Sequence, residues 1–427
     1  MANAAGKTLV GFGFGPIQSG LFLYEAARSG NFSRYVVAEI DGELVKAVRD
    51  SGGIYTLNIA CADRIERVSV GGVELYNPRE PADREAVIAA IGQADEMATA
   101  LPSVNFFDSP EPWCVARMLA DGLSRRKAKK QAIIYAAENH NRAAEILVED
   151  IQRHAPGAME NVQALNTVIG KMSGVIADED MRRRIGLVTM TPRTPRAILV
   201  EEFNRILISR ITLPGFRRGI EVFVEKDDLL PFEEAKLHGH NAIHAMIGFL
   251  ADLKGLTTMA EAARDQSIMG PARAAFLDEA GSALIRRHAP LHDPLFTVDG
   301  FRAFGEDLLD RMTRPYLNDL VARVIRDPMR KLGYEDRLYG TMHLALEYGI
   351  RPVNLARGAA AAVLSLIKHR AQIKEPMPPL PTSEEDLTAE DLRRVLGHIW
   401  EGKTDEHAEA LIELTWRAIE ARRGGGW

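Results

Sequence analysis

Cysteine is nearly absent from this chain: its 427 residues include two, Cys61 and Cys114. That excludes a disulfide-stapled fold and a thiolate metal cluster, and it points to a reducing compartment, so a cytoplasmic protein is expected. A run of about 18 apolar residues is also missing, so no membrane span is expected. The formal net charge is −6, a mildly acidic balance. That balance argues against a nucleic-acid or anionic-membrane partner. The opening stretch MANAAGKTLVGFGFG has one basic residue and a short apolar run broken by glycines, and reads as a strand and turn, not a signal peptide. What is present is ordinary soluble composition, 46% hydrophobic and 26% charged, in a chain long enough for two or three domains. A small-molecule ligand and a monomer or small homo-oligomer are the expectation.

Two halves differ in pattern. In the first, Thr8–Phe12 is a short apolar strand, followed by Gly11, Gly13, Gly15 and Gly20 and then a helical pattern from Leu21. Tyr35–Asp41 reads as a second strand ending in acids, and Ala94–Leu101 and Ala132–Asn139 as later strands with their exits. Strands alternating with helical patterns predict an α/β Rossmann-type unit with a parallel sheet over 1–220. From 221 to 427 helical patterns dominate: Ala235–Leu253, Thr258–Arg264, Ala272–His288, Val298–Asp310, Leu317–Arg326, Tyr334–Tyr348 and Leu355–Lys368. A proline-rich linker over 373–387 leads to two helices within 388–423, the first opening on the capping-box-like Thr388-Ala-Glu-Asp391. The expected architecture is therefore a nucleotide-binding domain followed by a mostly α-helical one.

The glycine turn is where a dinucleotide pyrophosphate would lie, because glycines let backbone approach it and a helix N-terminus supplies N–H donors. Gly13 and Gly15 fill the first two positions of G-x-G-x-x-G, but Gln18 stands at the third; in the alternative register from Gly11, Pro16 stands there. The context, after a strand and before a helix, carries the assignment more than the motif does. Gly13, Gly15, Pro16 and Ile17 are the expected contacts. Glu39, 26 positions after Gly13, is the candidate for the ribose hydroxyls, with Asp41 the alternative. An acid there, with no arginine following at once, favours NAD over NADP. Thr99 and Asn139, at the ends of later strands, complete the expected cofactor set.

In the second half, Lys236, Asn241 and His244 stand at i, i+5 and i+8. On an α-helix they fall within roughly 140° of arc. An amine of lowered pKa can act as a general base, and an amide N–H can hold a developing alkoxide. These are parts for oxidising an alcohol without a metal. His240 and His244 have the i, i+4 spacing of two metal ligands, but the glutamate of H-E-x-x-H is missing and no cysteine lies near, so no metal site is expected.

The chain resembles the polyol-specific long-chain dehydrogenases, the mannitol dehydrogenase family. The family pattern Lys-x4-Asn-x2-His is matched by Lys236, Asn241 and His244, and the stretches Arg314–Leu332 and Leu346–Asn354 look like its mannitol-1-phosphate branch. Glu138-Asn139 matches an acidic-Asn pair, and Asn166 falls on the family's substrate asparagine, although Gly170-Lys171 replaces an Asp-Arg pair that follows it. The resemblance implies NAD-dependent interconversion of a polyol or polyol phosphate and its ketose, with substrate between the domains, Lys236 as base, Asn166 and Asn241 on the alkoxide, and His244 on a neighbouring hydroxyl. Glu233 and Glu234 are candidates for relaying the proton. A phosphate-ended substrate requires cations, for which Arg326, Arg330 and Lys331 are the candidates. The alternatives are a mannitol 2-dehydrogenase-like enzyme acting on a free polyol, and a non-catalytic NAD-binding sensor or scaffold. Dehydrogenases with lysine and asparagine four apart on the equivalent helix are disfavoured by the separation of five here.

Overall fold

The structure, a computed structural model, describes residues 6–127 and 130–427; Met1–Ala5 of the expected opening strand and turn lie outside the described residues. The chain forms two compact units that meet in sequence at Leu230/Pro231. Both cysteines are free and buried.

The first unit is built on β1 (Lys7–Phe12), helix α1 (16–29), β2 (Phe32–Ala38), α2 (Gly42–Asp50), β3 (Tyr55–Ala60), β4 (Ile65–Val70), β5 (Val73–Tyr76), α3 (Pro81–Gln93), β6 (Glu96–Thr99), α4 (Val115–Ser124), β7 (Ala132–Ala136), α5 (Ala143–His154), β8 (Val162–Val168), β9 (Ser173–Ile176), α6 (Glu179–Ile185), β10 (Ala197–Glu201), β11 (Leu207–Ser209) and β12 (Val224–Lys226). The larger sheet runs β12-β11-β8-β7-β6-β1-β2-β5. Its six parallel strands, taken in chain order, lie in the sequence 3-2-1-4-5-6 of a doubly wound nucleotide-binding sheet. Order reverses between β1 and β6, so the carboxyl ends of those two strands mark the ligand crevice. The predicted strands at Thr8–Phe12, Tyr35–Asp41, Ala94–Leu101 and Ala132–Asn139 all lie in this sheet.

Beyond β8 the sheet continues through antiparallel β11 and then β12. The strand Val224–Lys226 therefore extends the sheet of the first unit, and the domain boundary falls ten residues after the expected 220. A second sheet, β4-β3-β10-β9, was not expected. It packs on the face that carries α1, where Tyr55, Leu57, Ile198 and Val200 join Leu21, Phe22 and Leu23 in one core. The opposite face is covered by α3, α4 and α5.

The second unit is helical: α7 (230–253), α8 (Met259–Ala262), α9 (266–288), α10 (Val298–Met312), α11 (Val321–Val324), α12 (Pro328–Lys331), α13 (Tyr339–Glu347), α14 (Val353–Lys368), α15 (Ala389–Ile399) and α16 (Ala408–Arg423). Two expectations change here. The predicted helix over Leu317–Arg326 is shortened to Val321–Val324, because Asn318 adopts a left-handed φ of 45° and Leu320 pairs with Thr258 in an antiparallel bridge, leaving an extended turn before it. The predicted helix from Tyr334 begins only at Tyr339. The turns before it are fixed by Gly333 N donating to Arg330 O (3.0 Å) and Asp336 N to Gly333 O (3.1 Å). The capping box at Thr388 and Asp391 is formed, and the linker before it has no regular structure.

Gly20 shows how tightly α1 sits on the second sheet: a Cβ there would lie 2.5 Å from Val200 Cγ1. Since the β-branched valine cannot swing away, Gly20→Ala is expected to destabilise the protein by about 1–3 kcal/mol through overpacking. A urea titration with lowered midpoint and unchanged slope would show it, and an unchanged midpoint would refute the packing argument.

Candidate functional site

At the crevice of the first unit, Gly13 takes φ 80°, and a Cβ on it would meet Ala100 O at 3.0 Å, so glycine is required where β1 and β6 diverge. Gly15 differs: a Cβ there would meet nothing within 4 Å. Its open side is where a phosphate could approach the backbone. Pro16 begins α1, a position where its missing N–H costs no helical hydrogen bond. Gly13, Gly15, Pro16 and Ile17 all remain partly exposed. Gln18, in the third-glycine place, is fully buried over Gly11, whose Cβ would stand 2.3 Å from the amide nitrogen. Its amide has no partner among the described residues. The close approach of α1 to β1 is thus made by Gly11, which leaves the space that the Gln18 side chain fills.

Helix α1 opens into a wider π turn over Gln18–Leu23. There the Ser19 carbonyl accepts from the buried Tyr55 hydroxyl at 2.7 Å, and the Ser19 hydroxyl donates to Gly15 O at 2.8 Å. The second sheet thus steadies the helix start that faces the crevice.

Glu39 is held from both sides: Oε2 accepts from Phe14 N (2.7 Å) and Oε1 from Asp41 N (2.9 Å). Asp41 is engaged elsewhere, capping α2 through Glu43 N and Leu44 N and pairing with Arg196. Gly15, Glu39, Asp41, Met190, Arg196 and Ile198 line a cavity of about 100 Å³. No arginine follows Glu39 closely in sequence, yet β10's approach brings Arg196 to this pocket. There it pairs with Asp41.

Thr99 is fully buried and its hydroxyl donates to Glu138 Oε2 at 2.9 Å. It supports the strand end and offers no donor to solvent. Glu138 also accepts from Leu101 N at 2.8 Å, and its carboxyl is pushed upward by burial. Asn139 is exposed. Asn166 ends up at α5: Oδ1 accepts from Ala144 N (2.8 Å), while Nδ2 donates to the Glu145 carboxylate at 2.9 and 3.1 Å. Lys171 is buried, and its amine donates to the carbonyls of Glu201 and Phe203.

In the second unit, α7 widens into a π turn over Ala235–Asn241, marked by Ala242 N donating to Leu237 O five residues back. In such a turn side chains five apart lie nearly above one another instead of 140° apart. Lys236 and Asn241 are therefore brought onto one face more closely than an α-helix would bring them. Lys236, Asn241 and His244 are each partly exposed, whereas Gly239, His240, Ala242, Ile243 and Ala245 are buried. Gly239 makes room for the turn, since a Cβ would meet Phe276 Cε2 at 2.9 Å.

Burial pulls the Lys236 amine down to about 8; the nearby Glu233 charge opposes this, and Arg337 assists it. Its conjugate acid is thus a far weaker hold on the proton than an exposed ammonium. Glu234 is committed to His288 Nε2 (2.7 Å) and Arg287 (3.3 Å), leaving Glu233 as the carboxylate felt by the lysine. His240 is buried, packs edge-on to His244 with ring centroids 6.0 Å apart, and is pushed well below the usual imidazole range by burial and by neighbouring positive charge. His238 Nδ1 lies 3.0 Å from Thr341 Oγ1. A separate Asp108, Cys114 and His154 group has ligand atoms within 4.8 Å of one another, but Arg153 already pairs with Asp108 there at 3.1 Å.

Asp319, which sequence reading did not single out, is the residue that orients His244. Its Oδ2 is 2.9 Å from His244 Nε2, and Oδ1 accepts from Arg323 Nε at 2.7 Å. Burial raises its carboxyl, but these two partners outweigh burial and hold it at about 2. An ionised carboxylate only accepts, so Nε2 carries the hydrogen and Nδ1 of a neutral His244 is left as an acceptor. The extended turn places Asp319: Met259 N donates to Asp319 O (2.9 Å) and Val321 N to Thr257 O (2.9 Å). Asn354, in the other family-like stretch, holds Glu279, which caps α14 through Asn354 N (2.8 Å) and Leu355 N (2.9 Å).

Removing the charge that orients His244 forfeits one charge-assisted hydrogen bond, worth about 1.5–3 kcal/mol. Asp319→Asn is therefore expected to lower kcat/KM about tenfold to a hundredfold with the fold intact. Full activity in that variant would show that His244 needs no such partner.

Residues 228–390 match the mannitol dehydrogenase C-terminal domain. The chain is 28% identical over 355 residues to mannitol-1-phosphate 5-dehydrogenase of Exiguobacterium sibiricum, covering 83% of this chain and 84% of the relative. It is 28% identical over 360 residues to the enzyme of that name from Bacillus licheniformis, covering 82% and 86%. In fold it is similar to a substrate-free D-sorbitol dehydrogenase (TM-score 0.75, 16% identity, 99% of this chain and 96% of that one). It is similar also to Pseudomonas fluorescens mannitol 2-dehydrogenase in ternary complex with NAD and D-mannitol (TM-score 0.69, 16% identity, 99% and 93%). The second half of the chain therefore carries a mannitol dehydrogenase C-terminal domain, and more than four-fifths of the chain is similar to relatives named mannitol-1-phosphate 5-dehydrogenase.

Proposed function

We propose that this protein is an NAD-dependent dehydrogenase that interconverts a polyol phosphate and the corresponding ketose phosphate, with mannitol 1-phosphate and fructose 6-phosphate as the pair. The observation that carries this reading is Lys236, an amine brought to about 8 by burial, on a π turn that aligns it with Asn241 beside a carboxylate-oriented His244. A scaffold protein has no need of an amine poised to lose its proton.

Gly13, Gly15, Pro16 and Ile17 would hold the pyrophosphate, and Glu39 the ribose hydroxyls; Asn139 is proposed nearby. The partly open glycine turn and the doubly held Glu39 carboxylate fit a dinucleotide, and NAD over NADP follows from the acid at the ribose. When bound, NAD supplies the acceptor for hydride. Lys236, as the neutral amine, takes the hydroxyl proton. Asn241 donates its amide N–H to the oxygen as charge develops. His244 accepts a hydrogen bond at Nδ1 from a neighbouring hydroxyl. Asn166 is proposed as a second amide donor, although its contact with Glu145 must then loosen. Glu233 is the proposed route for the proton away from Lys236. For the phosphate, Lys331 is buried while Arg326 and Arg330 are exposed, so Lys331 is the better placed of the three to meet an enclosed substrate.

NAD reduction measured over free hexitols, pentitols and their phosphates tests the substrate; turnover of free polyols in preference to phosphates would replace this reading with the mannitol 2-dehydrogenase-like one. Lys236→Ala is expected to lower kcat by about 10²–10⁴, the usual contribution of a general base, with NAD affinity near that of the parent. Because the neutral amine is the active form, oxidation should accelerate as pH rises through about 8, and the variant should lose that limb of the profile. At the ribose, Glu39→Gln should raise KM for NAD about tenfold or more and narrow its advantage over NADP, consistent with loss of one charged hydrogen bond; an unchanged cofactor preference would assign discrimination elsewhere.

A further inference from the structure

Arg337 belongs to no pattern that sequence reading singled out, yet it is tied directly to the catalytic turn. The Thr341 hydroxyl donates to the Arg337 carbonyl, and the same oxygen lies 3.0 Å from His238 Nδ1, two residues past Lys236. Since that hydroxyl proton is committed to the carbonyl, His238 must donate from Nδ1. A neutral Nδ1–H imidazole meets this need, and burial holds the His238 pKa near 4. The turn that bears Lys236 and the segment that bears Arg337 are thereby fixed to each other.

Arg337 itself is 14% exposed and donates from Nε to Asp336 Oδ1 at 2.7 Å. Both terminal amino groups of the guanidinium have no acceptor among the described residues. Lys331, six residues earlier and 5% exposed, likewise has none. Successive turns at Arg330–Gly333 and Gly333–Asp336 fold this segment back on itself. Burial brings the Lys331 amine down to about 8, and Arg337 is the first of the neighbouring charges that assist it. Two enclosed cations with uncommitted donors, opposed by Asp336 at the Arg337 Nε and by Asp327 near Lys331, form an environment that an oxyanion would complete. An arginine held only at Nε presents its terminal N–H groups as the fork that matches phosphate.

We propose that Arg337, with Lys331, binds the phosphoryl group of the substrate and so sets the preference for a phosphorylated over a free polyol. This rests on the polyol dehydrogenase reading above and replaces Arg326 and Arg330, whose side chains lie exposed, as the arginine of the phosphate site.

The test uses the full chain with steady-state NAD-linked oxidation of hexitol phosphates, together with calorimetric titration of inorganic phosphate into the protein. In Arg337→Gln, KM for the hexitol phosphate should rise about tenfold to a hundredfold, as for loss of a charged hydrogen bond, while kcat falls much less. Arg337→Lys should lie between, because it keeps the charge and loses the fork. Inorganic phosphate should bind the parent protein and inhibit competitively, and both effects should weaken in Arg337→Gln. Unfolding temperature and NAD affinity close to the parent's show that the variant is folded. An unchanged KM and unchanged phosphate binding in Arg337→Gln overturn the proposal, as does a parent protein that binds no inorganic phosphate and oxidises only free polyols; that last result leaves the polyol reading standing. If no polyol is oxidised, the function proposed above fails, and phosphate titration of parent and variant still decides whether Arg337 is an anion site.

Discussion

Burying an amine is the constraint on which the second unit depends. A lysine taken out of water resists carrying charge, and the cost is set by what surrounds it. At Lys236 the surroundings are balanced: burial and Arg337 press the proton off, and Glu233 presses it back on. The result is a pKa of about 8, close enough to neutrality for the amine to exist in both forms. Around it other groups are kept neutral or compensated. His238 and His240 are both shifted toward the neutral imidazole, and Asp319 is kept ionised by His244 and Arg323. Were either imidazole charged, it would add to the burden on Lys236 and lower its pKa further.

Much of the molecule could be read from local pattern because the signals are local. β1, the glycine turn and β2 form within one short stretch, and Lys236, Asn241 and His244 lie within one helix. The features that escaped are those made by distant pairing. The second sheet joins β3 to β10, pairing Asn58 with Leu199, and no periodicity announces it. Asp319 reaches His244 across 75 positions, and Arg196 reaches Asp41 across 155. The π turn escaped for another reason: one local widening of a helix leaves no repeat in the sequence, and the spacing of Lys236, Asn241 and His244 is read as α-helical. The helix expected over Leu317–Arg326 is cut back to Val321–Val324 because Asn318 enters the left-handed region and Leu320 pairs with Thr258, a residue far away in sequence.

The carboxyl-terminal helices acquire a role from the same reasoning. Residues beyond 390 lie outside the family domain match, yet they hold the segment between α12 and α13 from behind. Trp400 Nε1 donates to Leu332 O at 3.0 Å, the Tyr334 ring packs edge-on against Trp400 at 4.9 Å, and the Tyr334 hydroxyl donates to Asp405. Lys403 pairs with Glu335 at 2.6 Å. A loop of turns is among the less stable parts of a protein unless its backbone is tied down. These contacts supply the tie, and the segment they fix carries Lys331 at one end and Arg337 at the other.

On the proposed chemistry, the hydrogen-bonding character of the turn changes with the reaction. Before oxidation a vicinal diol offers two O–H donors. The neutral Lys236 amine accepts one, and His244 Nδ1, freed as an acceptor because Asp319 claims Nε2–H, accepts the other. After oxidation the reacting carbon bears only an acceptor oxygen. Lys236 is then an ammonium with three donors, and Asn241 still offers its amide N–H. Alcohol and ketone are each met by complementary groups without any side chain moving, because one proton has passed to Lys236. The neighbouring hydroxyl, untouched by the reaction, keeps its bond to His244 throughout. A polyol lacking that hydroxyl would leave His244 Nδ1 facing nothing in a half-buried site, which is how a cluster of three side chains can demand a second hydroxyl beside the one it oxidises.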